Sequence, residues 1–439
     1  MLPLSLLTTT PLAIDPPNGE ILEIIIMTRL SSPALIPLPL LAPLTLVICG
    51  LFSGSAMANP EDVFQPYVGL SYAHNDNVYG LSSADQARAL GIDSLADTYR
   101  IMSAGINIDK QISQQHLLAS FSLSRSTYDR FTQLNNDGKN ARVALDWQIG
   151  SRLTGNVGTS YAQALSPDRG FVTQERNLRT QKQVFLDAAW RFHPSWQLRG
   201  KMTRDELAYA LESQRANDRN VNAEEIGIDY LSAGNGSIGL QAGHSTGAYK
   251  FPELAGQFNQ FRIGNDYSQN EFKGKIDWIA SGKTRLQFLG GWVERKHAAY
   301  TNRDFSGPNA RLIANYALTS KVALTANVYR EIGSVDDTTA SFTLNNGVSL
   351  ASTWDVTSKV QLSANASTVK RKYDGSPSLP TLQLSTRSDS YRNVSVGANY
   401  VPTRKWTISL NAYRTEQSAN FQQGNFASNG VTLSTNFAF

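Results

Sequence analysis

The sequence predicts an all-β protein, a transmembrane antiparallel up-and-down β-barrel of about 18 strands (alternatively 16) with short periplasmic turns and longer extracellular loops. Three observations predict it. Apolar and polar residues alternate with period two through most of the chain, as on a strand with two different faces. Short turns alternate with long polar segments on a repeat of about 40 residues, one hairpin plus one loop. The chain ends on Phe439, with apolar residues at alternate places before it. A sheet inside hydrocarbon must close, because an open edge would leave backbone groups without partners.

The composition agrees. The chain has 439 residues, 40 Lys+Arg, 36 Asp+Glu and a formal net charge of +4. Basic residues are neither in large excess nor run together, so there is no nucleic-acid footprint. Charged residues are only 17% and hydrophobic residues 41%; the surplus of Ser, Thr, Asn, Gln and Gly excludes a helical bundle and an acidic disordered chain.

Residues 1–58 are expected to lie outside the fold. Met27-Thr28-Arg29 is a short positive segment, Ala34 to Phe52 is apolar, and Ala56 and Ala58 complete an A-x-A cleavage pattern. Residues 1–26 read as an upstream extension before a natural start at Met27. Cys49, the single cysteine, falls in the apolar segment, and Ile48 before it argues against a lipoprotein signal. No disulfide then remains to stiffen the mature chain, and a closed sheet supplies the rigidity instead.

Residues 59–439 form the barrel. Val63–Ala73 is the first strand. Eight short turns follow, near Gln111–Gln114, Gly150-Ser151, His193-Pro194-Ser195, Ala233–Gly236, Ala280–Lys283, Leu318–Ser320, Asp355–Ser358 and Pro402–Arg404. Nine longer polar segments lie between them, which gives 18 strands with both termini on the short-turn side. The weakest region is Tyr67–Arg100, with a helical segment expected at Ser83–Leu90. Trp147, Trp190, Phe192, Trp196, Tyr230, Trp278, Tyr316, Trp354, Tyr400 and Trp406 lie close to the short turns, where interfacial aromatics belong. In the last strand, Val431, Leu433, Phe437 and Phe439 alternate with polar residues, and Thr435 interrupts the apolar face. Phe437 and Phe439 read as the signal for the outer-membrane barrel assembly machinery.

The first strand Gly69-Leu70-Ser71-Tyr72-Ala73-His74-Asn75-Asp76-Asn77-Val78 ends in an Asp-Asn-Val corner. The units Asn315-Tyr316-Ala317-Leu318-Thr319-Ser320-Lys321 and Asn399-Tyr400-Val401-Pro402-Thr403-Arg404-Lys405 repeat an aromatic, a short turn and a strand start. On these motifs the mature chain resembles the EpsL-like β-barrel porins found with exopolysaccharide biosynthesis operons. That resemblance implies a bacterial outer-membrane conduit that takes part in exporting a polysaccharide, working with periplasmic and inner-membrane export proteins in contact with outer-membrane lipid.

The chemistry of the chain points away from catalysis. His74, His116, His193, His244 and His297 are scattered, and no G-x-S-x-G nucleophile motif accompanies them. No metal-ligand spacing or calcium loop occurs, so neither metal nor cofactor is expected; Asn75-Asp76-Asn77 reads as a turn-forming cluster. Alternation places Arg142, Arg199, Lys201, Lys273, Lys275, Arg285, Arg311, Lys321, Lys359 and Lys405 on the inward face as candidate pore lining. Asp146, Asp187, Glu225, Asp229, Glu271 and Asp277 share that face, and Tyr329 and Tyr413 are inward rings that could meet sugars. Two further readings stay open: a general diffusion porin, which an inward constriction loop would favour with Phe251–Asp266 as candidate, and a closed-lumen structural or adhesion barrel, which dense ion pairs across the lumen would favour.

Overall fold

The computed structural model describes residues 63–166, 175–234, 236–251, 264–298, 301–335, 340–375, 387–420 and 424–439. The expected leader, with Ala56 and Ala58 of its expected cleavage pattern, lies outside them. Eighteen strands follow in chain order: β1 Phe64–Asn75, β2 Asp97–Ile112, β3 Gln115–Tyr128, β4 Asn136–Ile149, β5 Leu153–Leu165, β6 Leu178–His193, β7 Trp196–Tyr209, β8 Arg219–Leu231 and β9 Ser237–Tyr249. The second half comprises β10 Tyr267–Ser281, β11 Thr284–His297, β12 Phe305–Ala317, β13 Val322–Ser334, β14 Phe342–Asp355, β15 Val360–Asp374, β16 Ser388–Thr403, β17 Trp406–Ala419 and β18 Phe426–Ala438. Each strand pairs antiparallel with the next, and β1 pairs with β18 from Tyr67↔Ala438 to Asn75↔Gly430, closing the barrel. The count is 18 and not the alternative 16, and all eight short turns fall where the sequence places them.

Period two sets the two faces. Val68, Leu70 and Tyr72 of β1 point outward and are about half exposed, while Ser71, Ala73 and Asn75 point inward and are buried. The same rule runs round the barrel, so the outer surface is a belt of Val, Leu, Ile, Phe and Met that water would not tolerate. At the short-turn end the belt is edged by exposed Trp190, Trp196, Tyr230, Trp278, Trp354, Tyr400 and Trp406. Trp196 and Tyr230 meet edge to face at 5.4 Å. A closed, belted barrel of this kind is a protein of the bacterial outer membrane. No helix among the described residues is long and apolar enough to cross a membrane.

The last strand explains its own irregularity. Phe437 and Phe439 both face outward, ring centroids 5.5 Å apart. Thr435 lies in that outward row, and its hydroxyl accepts a hydrogen bond from Trp406 Nε1 at 2.7 Å. A polar atom on the lipid side therefore satisfies an indole N–H at the interface.

The helical segment expected at Ser83–Leu90 is α1, Ala84–Ala89, capped by the Ser83 side chain on the Gln86 N–H. Before it, the corner is tied down locally. Asn75 Oδ1 accepts from the Asn77 N–H (2.7 Å), and Asn77 exchanges hydrogen bonds with the Leu81 backbone (2.8 and 2.9 Å). Asp76 accepts from the backbone and side chain of Asn429 on β18, both at 2.7 Å. The Asn75-Asp76-Asn77 side chains are thus spent on fastening the first loop to the closing strand.

Candidate functional site

The lumen wall is built by glycine as much as by charge. Asp229 of β8 and Lys275 of β10 are both in register with Gly239 of the intervening β9. With no side chain at Gly239, the ammonium of Lys275 reaches within 3.5 Å of Asp229 Oδ2 across a whole strand. A Cβ at position 239 would collide with the Asp229 carboxylate and lie 2.6 Å from the Ile228 carbonyl oxygen. Asp229 also takes two hydrogen bonds from Arg199 of β7, at 2.5 and 3.1 Å, and Arg199 lies 3.6 Å from Glu225. Asp229 is wholly buried.

Most of the remaining inward charges follow the same pattern, whereas Arg295 of β11, buried on the same wall, donates to Gln269 (2.7 Å) and lies over the Tyr267 ring, 4.0 Å from its centroid. Arg285 of β11 grips Asp277 of β10 through two hydrogen bonds (2.8 and 2.6 Å). Arg311 of β12 holds Glu331 of β13 (3.0 and 2.8 Å) and lies over the Tyr329 ring, 4.7 Å from its centroid. Arg371 of β15 holds Asp389 of β16 (2.6 and 2.7 Å), which also accepts from the Tyr373 hydroxyl. Lys273 pairs with Glu271 on its own strand, and Arg142 lies 5.3 Å from the centroid of the inward Phe185 ring. Lys201 sits in register between Asp187 and Glu225. Among the described residues, the pairs on the inner wall join one strand to itself, its neighbour or the next but one. These pairs therefore run along the wall. The sector made by β16, β17, β18 and β1 differs in kind, presenting Asn393, Ser395, Thr407, Thr415, Ser434 and Asn436.

Of the ten cations expected on the inward face, Arg142, Arg199, Lys201, Lys273, Lys275, Arg285 and Arg311 have inward register positions on strands. Lys321, Lys359 and Lys405 need correction. Each occupies a short turn immediately before β13, β15 or β17 and is exposed to the periplasm, with Lys359 Nζ donating to the Pro402 carbonyl (3.0 Å). Alternation continues into the turn in the sequence, but the chain has left the strand there and the parity no longer fixes a face. Arg371, absent from the expected set, lies on the inner face of β15. Extending the alternation of Leu362, Ala364 and Ala366 past the charged run Lys370-Arg371-Lys372 would have found it.

The inward tyrosines lie flat on the wall. Tyr329 is in register with Gly347 and Tyr413 with Gly430. A Cβ at either glycine would strike the ring, so each ring covers the bare backbone of its neighbour strand. The Tyr413 hydroxyl accepts from Asn75 Nδ2 at 2.9 Å.

Among the described residues, two elements turn into the lumen. The first is the β1–β2 loop with α1. Tyr79, Leu81, Ala87 and Ile92 pack on inward wall residues Ala73, Tyr99, Ile101 and Tyr128, joined by Phe131 and Leu134 of the next loop. Burial there pushes the Tyr79 phenol above its ordinary pKa, and its oxygen accepts from Gln133 Nε2 (2.9 Å). The second is the extracellular half of the β13–β14 hairpin. Pairing of β12 with β13 ends at Ala310↔Arg330, and beyond it the Ile332 N–H donates to the inward side chain of Asn309 (3.1 Å). The β13 backbone therefore stands inside β12 at this level. Ile332, Phe342 and Leu344, which by parity continue the outward row, pack instead on Val293 of the inner wall and on Phe305. Phe342 also stacks on His297, centroids 6.0 Å apart. The expected constriction segment Phe251–Asp266 lies largely outside the described residues, and β13–β14 is the inward element the structure describes on that side.

The histidines do not assemble. His74 bonds Thr98 on the outer face, His116 meets Asp109 inside, His244 bonds Asn270 outside, His193 lies at a short turn and His297 lies under the inward hairpin.

No family model matches the chain, and no curated protein does. Among solved structures, it is similar to OpdK of Pseudomonas aeruginosa with vanillate (9% identity, TM-score 0.44, 86% of this chain and 99% of that one). It is similar to OccK2 (OpdF) of the same organism with glucuronate (10%, 0.46, 86% and 98%). A third is OccAB3 of Acinetobacter baumannii (8%, 0.45, 86% and 99%).

Proposed function

We propose that this barrel is a passive diffusion channel for small hydrophilic solutes across the outer membrane. The observation that carries this reading is the course of the inner-wall ion pairs. They run laterally, as between Arg199, Asp229 and Lys275 or Arg371 and Asp389, and among the described residues none spans the lumen. An 18-strand barrel is wide enough for an aqueous channel. The first loop and the β13–β14 hairpin narrow it without closing it by charge. A closed structural barrel would instead knit opposite walls together.

Export of a polysaccharide, the role the resemblance implies, asks for a lumen that passes a polymer, and the two inward elements work against that. The polymer and the periplasmic and inner-membrane export proteins belong to that reading. The channel reading needs only outer-membrane lipid and the assembly machinery that inserts the barrel. Mechanism resides in pore size, wall charge and the inward elements, with no bond chemistry.

The test is conductance of the refolded protein in a planar bilayer, with a salt gradient to read selectivity and oligosaccharides of increasing size as blockers. Steady conductance with a reversal potential near zero is expected, because the wall charges are largely neutralised in pairs. A correctly folded barrel that conducts nothing would overturn the proposal. Threading of long polysaccharide chains would restore the export reading.

A further inference from the structure

Charges on the outer face pose a separate question. Above the apolar belt, on the long-loop side, several outward cations have a carboxylate beside them. Arg125 pairs with Asp137, Lys296 with Glu294 and Arg414 with Glu416, at 3.2, 3.2 and 2.6 Å. Among the described residues, Arg100 of β2 and Lys139 of β4 stand singly without one, and the stretch from β13 to β16 gathers several such cations together. Arg330, Asn346, Lys370 and Ser390 form one cross-strand row on the outer face. Arg392 lies diagonally beside Lys370, in register with Thr368, and Lys372 lies two residues further out. All four cations are exposed. Arg330 donates only to the Asn346 side chain (3.2 Å), and Lys370 and Arg392 have no hydrogen-bond or ion-pair partner among the described residues. Lys372 has Asp374 at 3.3 Å. Glu416, in register with Arg392, is held by Arg414.

The height of this cluster identifies its surroundings. Trp354 and Tyr400 mark the periplasmic edge of the belt on β14 and β16, and Asn346 and Arg392 lie eight residues further along their strands. At about 3.4 Å per residue and a tilt of about 40°, that is a rise of roughly 21 Å, close to the roughly 25 Å of an outer-membrane apolar band. Directly below lie Val348, Leu350, Val394 and Val396, each about half exposed. The face therefore offers acyl-chain contact ending in four cations, flanked by the amide of Asn346 and the hydroxyls of Thr368 and Ser390. Like charges so close repel one another, and an anion from outside offsets the repulsion.

We propose that the outer face of β13–β16 is a docking surface for a phosphorylated, multiply acylated glycolipid of the outer leaflet, with its phosphates on Arg330, Lys370 and Arg392 and its chains on the valines beneath.

The test uses the full refolded barrel and native mass spectrometry against bisphosphorylated hexa-acylated lipid A, the monophosphorylated form and phosphatidylethanolamine. The bisphosphorylated lipid binds, the monophosphorylated form binds more weakly, and phosphatidylethanolamine is not retained. The double variant K370Q/R392Q loses about 25-fold in affinity, about fivefold per cation. R125Q, on another face, changes affinity less than twofold. K370R/R392K, which keeps both charges, retains binding and guards against a general defect in folding. Equal binding by wild type and K370Q/R392Q overturns the proposal. So does equal retention of phosphatidylethanolamine, which would reduce the surface to apolar contact, or a folded wild type that binds no lipid because a second copy of the chain covers this face.

Discussion

Removing the charge of Asp229 while keeping its shape tests how the inner wall is held together. Asp229→Asn leaves the volume almost unchanged, but it takes the only negative group from between Arg199 and Lys275, whose side chains are 7% and 0% exposed. Breaking one partner out of a buried ion pair costs about 3–5 kcal/mol, because the remaining charge stays buried without compensation. Arg199 keeps Glu225 at 3.6 Å, so the expected loss lies at the lower end, about 3 kcal/mol. Lys275 has Asp277 two residues along its own strand, but that carboxylate is already gripped by Arg285. Adding Lys275→Met to the Asn variant removes that orphaned charge and recovers about 1–2 kcal/mol, whereas Lys275→Met alone destabilises. The assay is reversible urea unfolding of the barrel in lipid vesicles, followed by fluorescence of Trp190 and Trp196 on β6 and β7. A change below about 0.5 kcal/mol for the Asn variant, or a double variant that loses the sum of the two single losses, would refute the idea that the three charges act as one unit across Gly239.

Three further outcomes are expected. Ile332→Asp with Leu344→Asp buries two carboxylates in the cluster that holds the β13–β14 hairpin against the inner wall; the hairpin is released and single-channel conductance rises, with stability falling by about 3 kcal/mol or more. Ala87→Arg drives a charge into the fully packed side of α1 and expels the first loop, which also raises conductance; unchanged conductance in either case means that these elements do not narrow the pore. Replacing Lys321, Lys359 and Lys405 together by Gln leaves the reversal potential in a salt gradient unchanged, while Lys273→Glu with Arg285→Glu shifts it toward cation selectivity.

Much of the architecture was legible in the chain because its determinants are local. Whether a residue of β15 faces lipid or lumen follows from its parity with Leu362 and Ala364, and each short turn follows from the polar break between two alternating runs. Parity stops being informative where a chain leaves its strand, which is why Lys321, Lys359 and Lys405 read as wall residues and are turn residues. It also misleads where a strand leaves the wall. Ile332, Phe342 and Leu344 have the spacing and the apolar character of lipid-facing residues, and burial against lipid or against Val293 makes the same demand on a side chain.

The sequence by itself determined the 18 strands, the two faces, the belt and the closing Phe439, since period two and turn chemistry are properties of a dozen residues at a time. Only the tertiary structure decided which inward charges meet. Asp229 and Lys275 are far apart in the chain and come together because three strands align in one register and the middle one carries glycine there. It also decided that one hairpin folds inward, where the β12–β13 ladder ends and the Asn309 side chain takes a backbone N–H in place of the lost pairing. Such outcomes depend on the register between strands and on competition between alternative burial sites, and no stretch of sequence read alone contains either.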